Sequence, residues 1–280
     1  MRIGIRRMTS ADIPAGMKLK EQNLWNTLPD DWQRQLDLEP DGCFAAEADG
    51  QVVGTACACT FDTVAWVNLV LVDDLHRGRG IGTSLMRTVL AWLEQRNVPS
   101  IRLDATPLGR PIYEKLGFNV EYELTRFEGT LPALPIDVSA GRVTTAQASD
   151  LPSIVRLDQR ITGTNRDKLI RYLYQRVKLF SVRGAEDVVG YAAFRPGSRA
   201  RHIGPCLGDA DACRQLLAKI GHVLRGDFVF MDIPVVHSEA NAFAKSLGLT
   251  PQRQLTRMGR GVRIQEQLDQ YWCSFGPEKG

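Results

Sequence analysis

The sequence lacks long hydrophobic runs. None of its apolar stretches approaches the roughly 20 residues that a membrane-spanning helix needs, and its opening residues, MRIGIRRMTSAD, lack the apolar segment of a secretory signal. The 280 residues are 44% hydrophobic and 24% charged, which is the composition of a globular protein with room for two domains. We therefore expect a cytoplasmic protein that does not bind membranes.

Clustered metal ligands are also missing. The six cysteines include no C-x-x-C pair, and the four histidines are scattered along the chain. Metal sites in proteins place such ligands at short, fixed spacings. We therefore expect no metal, and we expect the cysteines to be buried reduced thiols.

Features typical of nucleic-acid binding are scarce. The net charge is +3, and a loose basic run near the C-terminus has neither interleaved aromatic residues nor a recognition motif. That run consists of Arg253, Arg257, Arg260 and Arg263. A solvated basic surface accounts for it, so nucleic acid is not expected as a partner.

Three short segments recur in the same order in the two halves of the chain. They are DIP and DLP (12–14 and 150–152), VG and VG (53–54 and 189–190), and YEKLGF and AKSLGL (113–118 and 244–249). Repetition at a nearly constant spacing indicates a duplicated domain. The segment TLPALPID at 130–137 contains two prolines, which disfavour helix and central strand. We therefore predict a linker there, between domains at 1–131 and 139–280.

Helix and strand patterns alternate in the first half. Turn residues at 48–50 predict a hairpin within 42–61, and Pro29 is expected to break the helical stretch around it. The predicted elements are helix 11–36 with that break, the hairpin, strand 64–72, helix 82–97, strand 100–106, helix 110–117 and strand 118–129. This order predicts a mixed α/β (α+β) fold around a mainly antiparallel sheet.

A glycine-rich turn separates the strand at 64–72 from the helix at 82–97. Gly78, Gly80 and Gly82 let the backbone approach a ligand closely because they carry no Cβ. A helix N-terminus offers free N–H groups to an anion such as phosphate. The turn contains neither G-K-[ST] nor G-x-G-x-x-G, so it fits neither the P-loop nor the dinucleotide fingerprint. A tight turn without a ligand is the alternative.

Two motifs together resemble a known family. Residues 77–82 read R-x-x-G-x-G/A after a hydrophobic strand that ends at Val72, and PIYEKLGF at 111–118 places an aromatic residue four positions before Gly-Phe. Over roughly residues 2–129 the chain resembles the GNAT superfamily of N-acetyltransferases, and in particular a bacterial subgroup with a second, degenerate GNAT-like domain. The resemblance implies tandem GNAT-like domains, each a mainly antiparallel twisted sheet flanked by helices, with acetyl-CoA as co-substrate.

The resemblance also implies roles for the residues of the two motifs. Backbone N–H groups of residues 77–83 would hold the pyrophosphate of CoA, and the main chain of Leu71 and Val72 would pair with the pantetheine arm. Tyr113 would be the catalytic residue that protonates the departing thiolate, with packing of its ring on the sheet as the alternative. The implied cofactor-binding residues are Leu71, Val72, Arg77, Gly78, Arg79, Gly80, Ile81, Gly82, Thr83 and Thr106.

The sequence departs from the family pattern at several positions. Thr106 and Gly109 replace a frequent Asn and Ala, and Trp66 stands where some relatives carry a catalytic Glu. No general base can therefore be read from the motif. The carboxylates that are candidates, directly or through a water, are Glu21, Glu47, Asp62 and Asp104. The candidates for an acceptor pocket, with core packing as the alternative, are Trp25, Trp66 and Asn68.

The second half lacks this machinery. No R-x-x-G-x-G follows its matching strand, Asp209 and Asp211 stand where phosphate would approach, and Ala244 takes the place of Tyr113. We therefore expect that the second domain does not bind acyl-CoA, and that it walls the acceptor site or stabilises the first domain.

The function implied is that of an acyl-CoA-dependent N-acyltransferase, specifically an acetyltransferase. The amine of a small molecule would attack the thioester directly within a ternary complex. The partners would be acyl-CoA and an amine substrate, while the identity of the acceptor and a homodimer are left open. The alternatives are a non-catalytic acyl-CoA-binding or sensing protein and a structural tandem domain that recognises a partner protein.

Overall fold

The computed structural model describes residues 3–132 and 142–277, and within these ranges thirteen strands form one continuous sheet flanked by eight α-helices. The first half contains β1 (Ile3–Arg7), α1 (Ile13–Gln22), α2 (Pro29–Leu38), β2 (Cys43–Ala48), β3 (Gln51–Phe61), β4 (Val64–Val72), α3 (Ile81–Glu94), β5 (Ser100–Ala105), α4 (Arg110–Glu114) and β6 (Asn119–Thr130). The second half contains β7 (Val143–Thr145), α5 (Leu151–Thr162), α6 (Asp167–Arg176), β8 (Leu179–Arg183), β9 (Val188–Arg195), β10 (Arg201–Gly208), α7 (Ala210–Val223), β11 (Phe228–Pro234), α8 (Ser238–Ser246), β12 (Thr250–Gly261) and β13 (Tyr271–Cys273).

The elements predicted for the first half are confirmed. The hairpin of β2 and β3 turns at Asp49 and Gly50, both with positive φ (49° and 78°). The helical stretch is interrupted before Pro29, as predicted, and α2 begins at Pro29. Helix α4 is shorter than predicted and ends at Glu114. The chain reverses there through Gly117, whose φ of 85° is left-handed.

Apart from β13 at the end of the second half, the two halves repeat the same order of strands and α-helices, which confirms the duplication. The glycines that recur in two of the three repeated segments have the same structural role in both halves. At Gly54 and Gly190 an added Cβ would lie 3.1 Å from Leu85 and 2.7 Å from Ala212, so each glycine lets α3 or α7 pack closely on the sheet. Gly117 and Gly248 both have a left-handed φ at the end of a helix.

The strands β6 and β12, which occupy the same place in the order of the two halves, are exchanged. The order in the sheet is β1-β2-β3-β4-β5-β12-β6-β11-β10-β9-β8-β7, so β12 pairs antiparallel with both β5 and β6, while β6 pairs antiparallel with β11. Each half therefore completes its sheet with a strand of the other. Of the predicted linker, Thr130 ends β6 and residues 133–137 lie outside the described ranges.

Buried ion pairs hold the exchanged strands in register. Arg257 on β12 donates to both carboxylate oxygens of Asp104 on β5, at 2.8 and 2.9 Å. Arg102 on β5 donates to Glu121 on β6 and, at 2.6 Å, to Glu266. Both guanidinium groups are almost fully buried, so these pairs are shielded from water and cost much if broken singly.

Two clefts form in the sheet where parallel strands diverge. The cleft of the first half stays open, whereas a strand fills the cleft of the second half. In the first half, β4 and β5 pair only over 64–66 and 100–102, after which β4 bulges at Leu69 (φ 50°). In the second half, β10 and β11 pair only over 201–203 and 229–231. There β13 enters the gap: it pairs with β10 on the edge opposite β9, and Ser274 N donates to Asp232 O on β11 at 2.8 Å.

Candidate active site

A cavity of about 570 Å³ lies at the open cleft beside β4 and is lined by both halves of the chain. Of the predicted site residues, twelve line it: Trp25, Asn68, Leu71, Val72, Arg77, Gly78, Gly80, Ile81, Gly82, Thr83, Thr106 and Tyr113. The cavity therefore brings the glycine turn, the end of β4 and the Tyr113 motif together. Arg79 and Trp66 are not among the described lining residues.

The glycine turn has the geometry of an anion site at a helix start. Gly78 and Gly80 have φ of 74° and 76°, and no described atom lies within 4 Å of a Cβ built at either position. Gly80 is the N-cap of α3 and supplies no side-chain acceptor to the first turn. The N–H groups of that turn and the positive end of a 14-residue helix thus face the cavity.

The turn that leads into the glycines is fixed by Asp73. Its carboxylate accepts hydrogen bonds from Gln22 Nε2 at 2.9 Å and from the backbone N–H of Leu75 at 3.0 Å, and it lies 2.9 Å from His76 Nδ1. The hydrogen bonds from Gln22 and His76 lower the pKa of Asp73 below its usual value. Arg77 Nη2 donates to Asn23 Oδ1 at 2.8 Å, which ties the same turn to the end of α1.

Tyr113 lies on α4 with its ring half-buried and edge-on to Phe118, at 6.0 Å between centroids. Desolvation raises the pKa of Tyr113 above its usual value, so the phenol stays protonated and is able to donate to a leaving group. A Cβ on Gly109 would lie 2.9 Å from Tyr113 Cε2. Gly109 therefore leaves room for the ring in the position it has here. Thr106 Oγ1 accepts from Gly109 N at 3.2 Å.

The end of β4 offers a backbone edge to an extended ligand. Leu71 and Val72 pair with Thr55 and Gly54 of β3 on one side and line the cavity on the other. Thr55 Oγ1 donates to Leu69 O at 2.8 Å and so holds the bulge. An extended chain that lies along this edge would be able to pair with it as an added strand.

The far end of the cavity is built from residues that the sequence analysis did not assign to a site. Arg253 was expected only as part of a solvated basic surface, and that expectation is wrong for Arg257 of the same run, which is 0% exposed. Arg126 on β6, Arg195 on β9, His202 on β10 and Arg253 on β12 all line it. Arg126 donates two hydrogen bonds of 2.7 Å to Asp232 on β11. None of these residues belongs to a motif, and only the fold brings them to the glycine turn.

The loop between α1 and α2 joins the halves across this end. Asn26 Nδ2 donates to Ala200 O at 2.9 Å, and its Oδ1 accepts from Arg199 N and Ala200 N at 2.9 and 3.0 Å. On α2, Gln35 Oε1 accepts from Asn68 Nδ2 at 3.3 Å. Ser198 Oγ also donates to Trp25 O at 3.2 Å, so the second half holds the backbone of Trp25, whereas Asn68 is held by Gln35 of the first half.

The four candidate bases lie in different environments, and only Asp104 is among the described residues that line the cavity. Glu21 is exposed, Glu47 pairs with Arg6 at 2.8 Å, and Asp62 accepts from Asn165 at 2.8 Å. Asp104 lines the cavity and is the one carboxylate among the described lining residues, but both of its oxygens accept from Arg257.

Trp66 is buried beneath two guanidinium groups. The Cζ atoms of Arg257 and Arg102 lie 4.7 and 5.3 Å from the centroid of its ring. This places Trp66 in the core beside the exchanged strands, as the packing alternative described.

The second half fills the equivalent positions with its own atoms. Asp209 is the N-cap of α7 and its Oδ1 accepts from Ala212 N at 2.7 Å, so a carboxylate occupies the helix start that an anion would need. Ala244 is buried, and β13 fills the cleft between β10 and β11.

Among the described residues no helix is long and apolar enough to cross a membrane.

Solved structures share this fold across nearly the whole chain. A crystal structure of a protein from Pyrococcus horikoshii superposes with a TM-score of 0.85 at 24% identity, covering 99% of this chain and 96% of that one. A tandem GNAT protein from the clavulanic acid biosynthesis pathway gives a TM-score of 0.67 at 14% identity, covering 95% and 100%. The architecture is thus that of tandem GNAT proteins.

Sequence comparison gives the family. Residues 15–118 match the Acetyltransferase (GNAT) family and residues 154–272 match a further Acetyltransferase (GNAT) domain. The chain belongs to the GNAT acetyltransferase family and carries two GNAT domains.

Individual relatives are distant. A mycothiol acetyltransferase of Thermomonospora curvata is 36% identical over 104 residues, which is 35% of each chain. The N-acetyltransferase YitH of Bacillus subtilis is 21% identical over 197 residues, 68% of this chain and 67% of that one.

Proposed function

We propose that the protein is an acyl-CoA-dependent N-acyltransferase that transfers an acetyl group to the amine of a small molecule by direct attack in a ternary complex. The observation that carries this proposal is the single cavity in which the glycine turn, the edge of β4 and Tyr113 meet residues of the second half. One continuous cavity allows both substrates to bind at once, as direct transfer requires.

The geometry supports the roles that the family resemblance implies. The first turn of α3 binds the pyrophosphate of CoA, and the backbone of Leu71 and Val72 pairs with the pantetheine arm. The N–H of Val72 polarises the thioester carbonyl. Tyr113 donates a proton to the departing thiolate, for which its protonated state suits it.

Binding is tested by titration calorimetry with acetyl-CoA. We expect one molecule per chain, because Asp209 and β13 occupy the corresponding site of the second half. Two equivalent sites per chain would contradict this assignment. Turnover is then measured as CoA release with a panel of amino acids, polyamines, aminoglycosides and peptides.

Tyr113→Phe tests the catalytic role. We expect kcat to fall by about a hundredfold, since a general acid contributes on that order, while the Kd for acetyl-CoA stays unchanged. Tyr174→Phe is the control, because Tyr174 is half-buried on α6 and is not among the described residues that line the cavity. Equal kcat in both variants would remove Tyr113 from the chemistry.

A second candidate function is a non-catalytic acyl-CoA sensor. It is favoured by the engagement of Asp104 with Arg257, which leaves no free carboxylate among the described lining residues to act as base. Tight binding of acetyl-CoA without CoA release from any amine in the panel would support the sensor over the enzyme.

A further inference from the structure

The loop between α1 and α2 forms one wall of the cavity, which is lined there by Trp25, Asn26 and Thr27. The start of this loop is tied to the glycine turn, because Asn23 Oδ1 accepts from Arg77 Nη2 at 2.8 Å. Asn26 stands three positions further along the chain, and three residues span at most about 11 Å. The wall therefore lies beside the turn that is proposed to bind the cofactor.

The second half holds the main chain of this wall. The carbonyl oxygens of three successive loop residues accept hydrogen bonds from it: Leu24 O from Arg199 Nη1 at 3.1 Å, Trp25 O from Ser198 Oγ at 3.2 Å, and Asn26 O from Ser198 N at 3.1 Å. The first half thus supplies the residues that face the cavity, and the second half fixes their backbone from behind.

The side chain of Asn26 adds three hydrogen bonds to the same segment. Its Oδ1 accepts from the N–H groups of Arg199 and Ala200 at 2.9 and 3.0 Å, and its Nδ2 donates to Ala200 O at 2.9 Å. A Cβ on Gly197 would lie 2.2 Å from Asn26 Nδ2, so this glycine leaves room for the amide. Asn26 is 7% exposed, and its hydrogen bonds are therefore shielded from water.

We infer that Asn26 is the positioning residue of the acceptor site, through which the second half sets the affinity for the amine while the first half binds the cofactor. This inference rests on the proposed function. Asn26 acts through the loop and not on the reacting atoms. A wall already held in its binding shape spares the acceptor the entropy of ordering it. A wall that holds this shape for only part of the time binds the acceptor more weakly in proportion.

The variant Asn26→Ala removes the three side-chain hydrogen bonds and leaves the tie between Asn23 and Arg77 in place. The probe is the amine of the panel with the highest kcat/KM for the wild type, and L-lysine, spermidine, kanamycin and alanylalanine represent its four classes. At saturating acetyl-CoA we expect KM for this amine to rise by about tenfold, as for a wall in its binding shape for about a tenth of the time. We expect kcat and the Kd for acetyl-CoA to stay unchanged, since only binding of the amine is weakened.

The matched control is Asn241→Ala. Asn241 Nδ2 donates to Pro234 O at 2.8 Å and to His237 O at 2.7 Å, so this asparagine also fixes a turn through its amide. It is not among the described residues that line the cavity. The control should lose a comparable free energy of unfolding in urea and keep the wild-type KM for the amine.

The variant Ser198→Ala tests the same contact from the second half. It removes the hydroxyl that donates to Trp25 O and accepts from Lys20 Nζ at 2.8 Å. We expect KM for the amine to rise by about threefold, less than in Asn26→Ala, because one hydrogen bond to the loop is lost instead of three. If Asn26→Ala does not fold, this variant decides, and an unchanged KM in it overturns the inference.

The possible outcomes separate the two proposals. An unchanged KM in Asn26→Ala, or an equal rise in Asn26→Ala and Asn241→Ala, overturns the role of Asn26 and leaves the proposed function in place. An equal rise in the Kd for acetyl-CoA also overturns it, because the wall would then serve the cofactor. Absence of CoA release with every amine of the panel overturns the proposed function and this inference with it.

Discussion

At the scale of single residues, the glycine turn works through backbone conformation. Gly78 and Gly80 hold left-handed φ values with open space around the position of a Cβ. A Cβ at either position would meet no described atom within 4 Å, so the free-energy cost of an alanine there divides into two separable parts. One is conformational strain of about 1–2 kcal/mol for an L-residue, and the other is obstruction of the bound anion.

Gly80→Ala separates these parts with Gly50→Ala as its control. Gly50 has φ of 78° against 76° for Gly80, also has open space around its Cβ position, and lies in the β2–β3 turn away from the cavity. Both variants should lose a similar free energy of unfolding in urea. Only Gly80→Ala should weaken acetyl-CoA binding, by tenfold or more in calorimetry. Equal affinity in the two variants would mean that the turn does not hold the cofactor.

Whether a site residue could be predicted from the sequence depends on how far away along the chain its partners lie. The glycine turn could be predicted because a strand, a turn and a helix start are local patterns in the sequence, whereas the role of Tyr113 was implied by the family resemblance of its motif. Asn26 bonds Ala200, 174 residues away, and Arg126 bonds Asp232, 106 residues away. No local pattern encodes such contacts, so the far end of the cavity could not be predicted.

At the scale of elements, the order of the elements and several strand bounds were predictable, but some helix ends and the strand neighbours were not. The strand at 64–72 matches β4 residue for residue because its apolar run is bounded by turn residues. By contrast, β6 and β12 each make a backbone ladder that any strand can make. What selects β12 as the neighbour of β5 is side-chain pairing, and Asp104 and Arg257 are 153 residues apart.

The substitution Arg257→Met tests whether the ion pair with Asp104 makes β12 the neighbour of β5. Removal of one partner leaves Asp104 buried without its cation, which typically costs about 3–5 kcal/mol of folding free energy. Urea unfolding should show this loss, and the double variant Arg257→Met with Asp104→Asn should recover part of it. As a control, Arg156→Met removes an exposed pair with Asp187 at 2.9 Å and should cost less than about 1 kcal/mol. Similar losses in both would show that the buried pair does not hold the exchange.

At the scale of the molecule, duplication and exchange explain why one copy kept an open cleft. The second copy uses β13 and Asp209 to fill the positions that stay open in the first. Its side chains on β9 and β10 line the far end of the first copy's cavity instead. The second domain thus contributes to the proposed acceptor site through β9 and β10, in the half where β13 fills the equivalent cleft.

The exchange also predicts how the chain behaves when it is divided. β12 runs antiparallel to both β5 and β6, so β5 and β6 point the same way and β6 cannot replace β12 beside β5 in the same orientation. Residues 1–132 expressed alone therefore lack the strand that completes their sheet. We expect them to be unfolded or aggregated by circular dichroism and size exclusion, and to bind no acetyl-CoA.

Co-expression of residues 1–132 with residues 142–280 supplies the missing strand to each half. The two chains should form a 1:1 complex that binds acetyl-CoA with the affinity of the intact protein, because strand pairing and the pair between Arg257 and Asp104 do not depend on the connection at 133–141. A dimer of residues 1–132, in which two copies exchange β6, would still fit the exchange. A folded monomer of residues 1–132 that binds acetyl-CoA would contradict it, since the first domain would then be complete without β12.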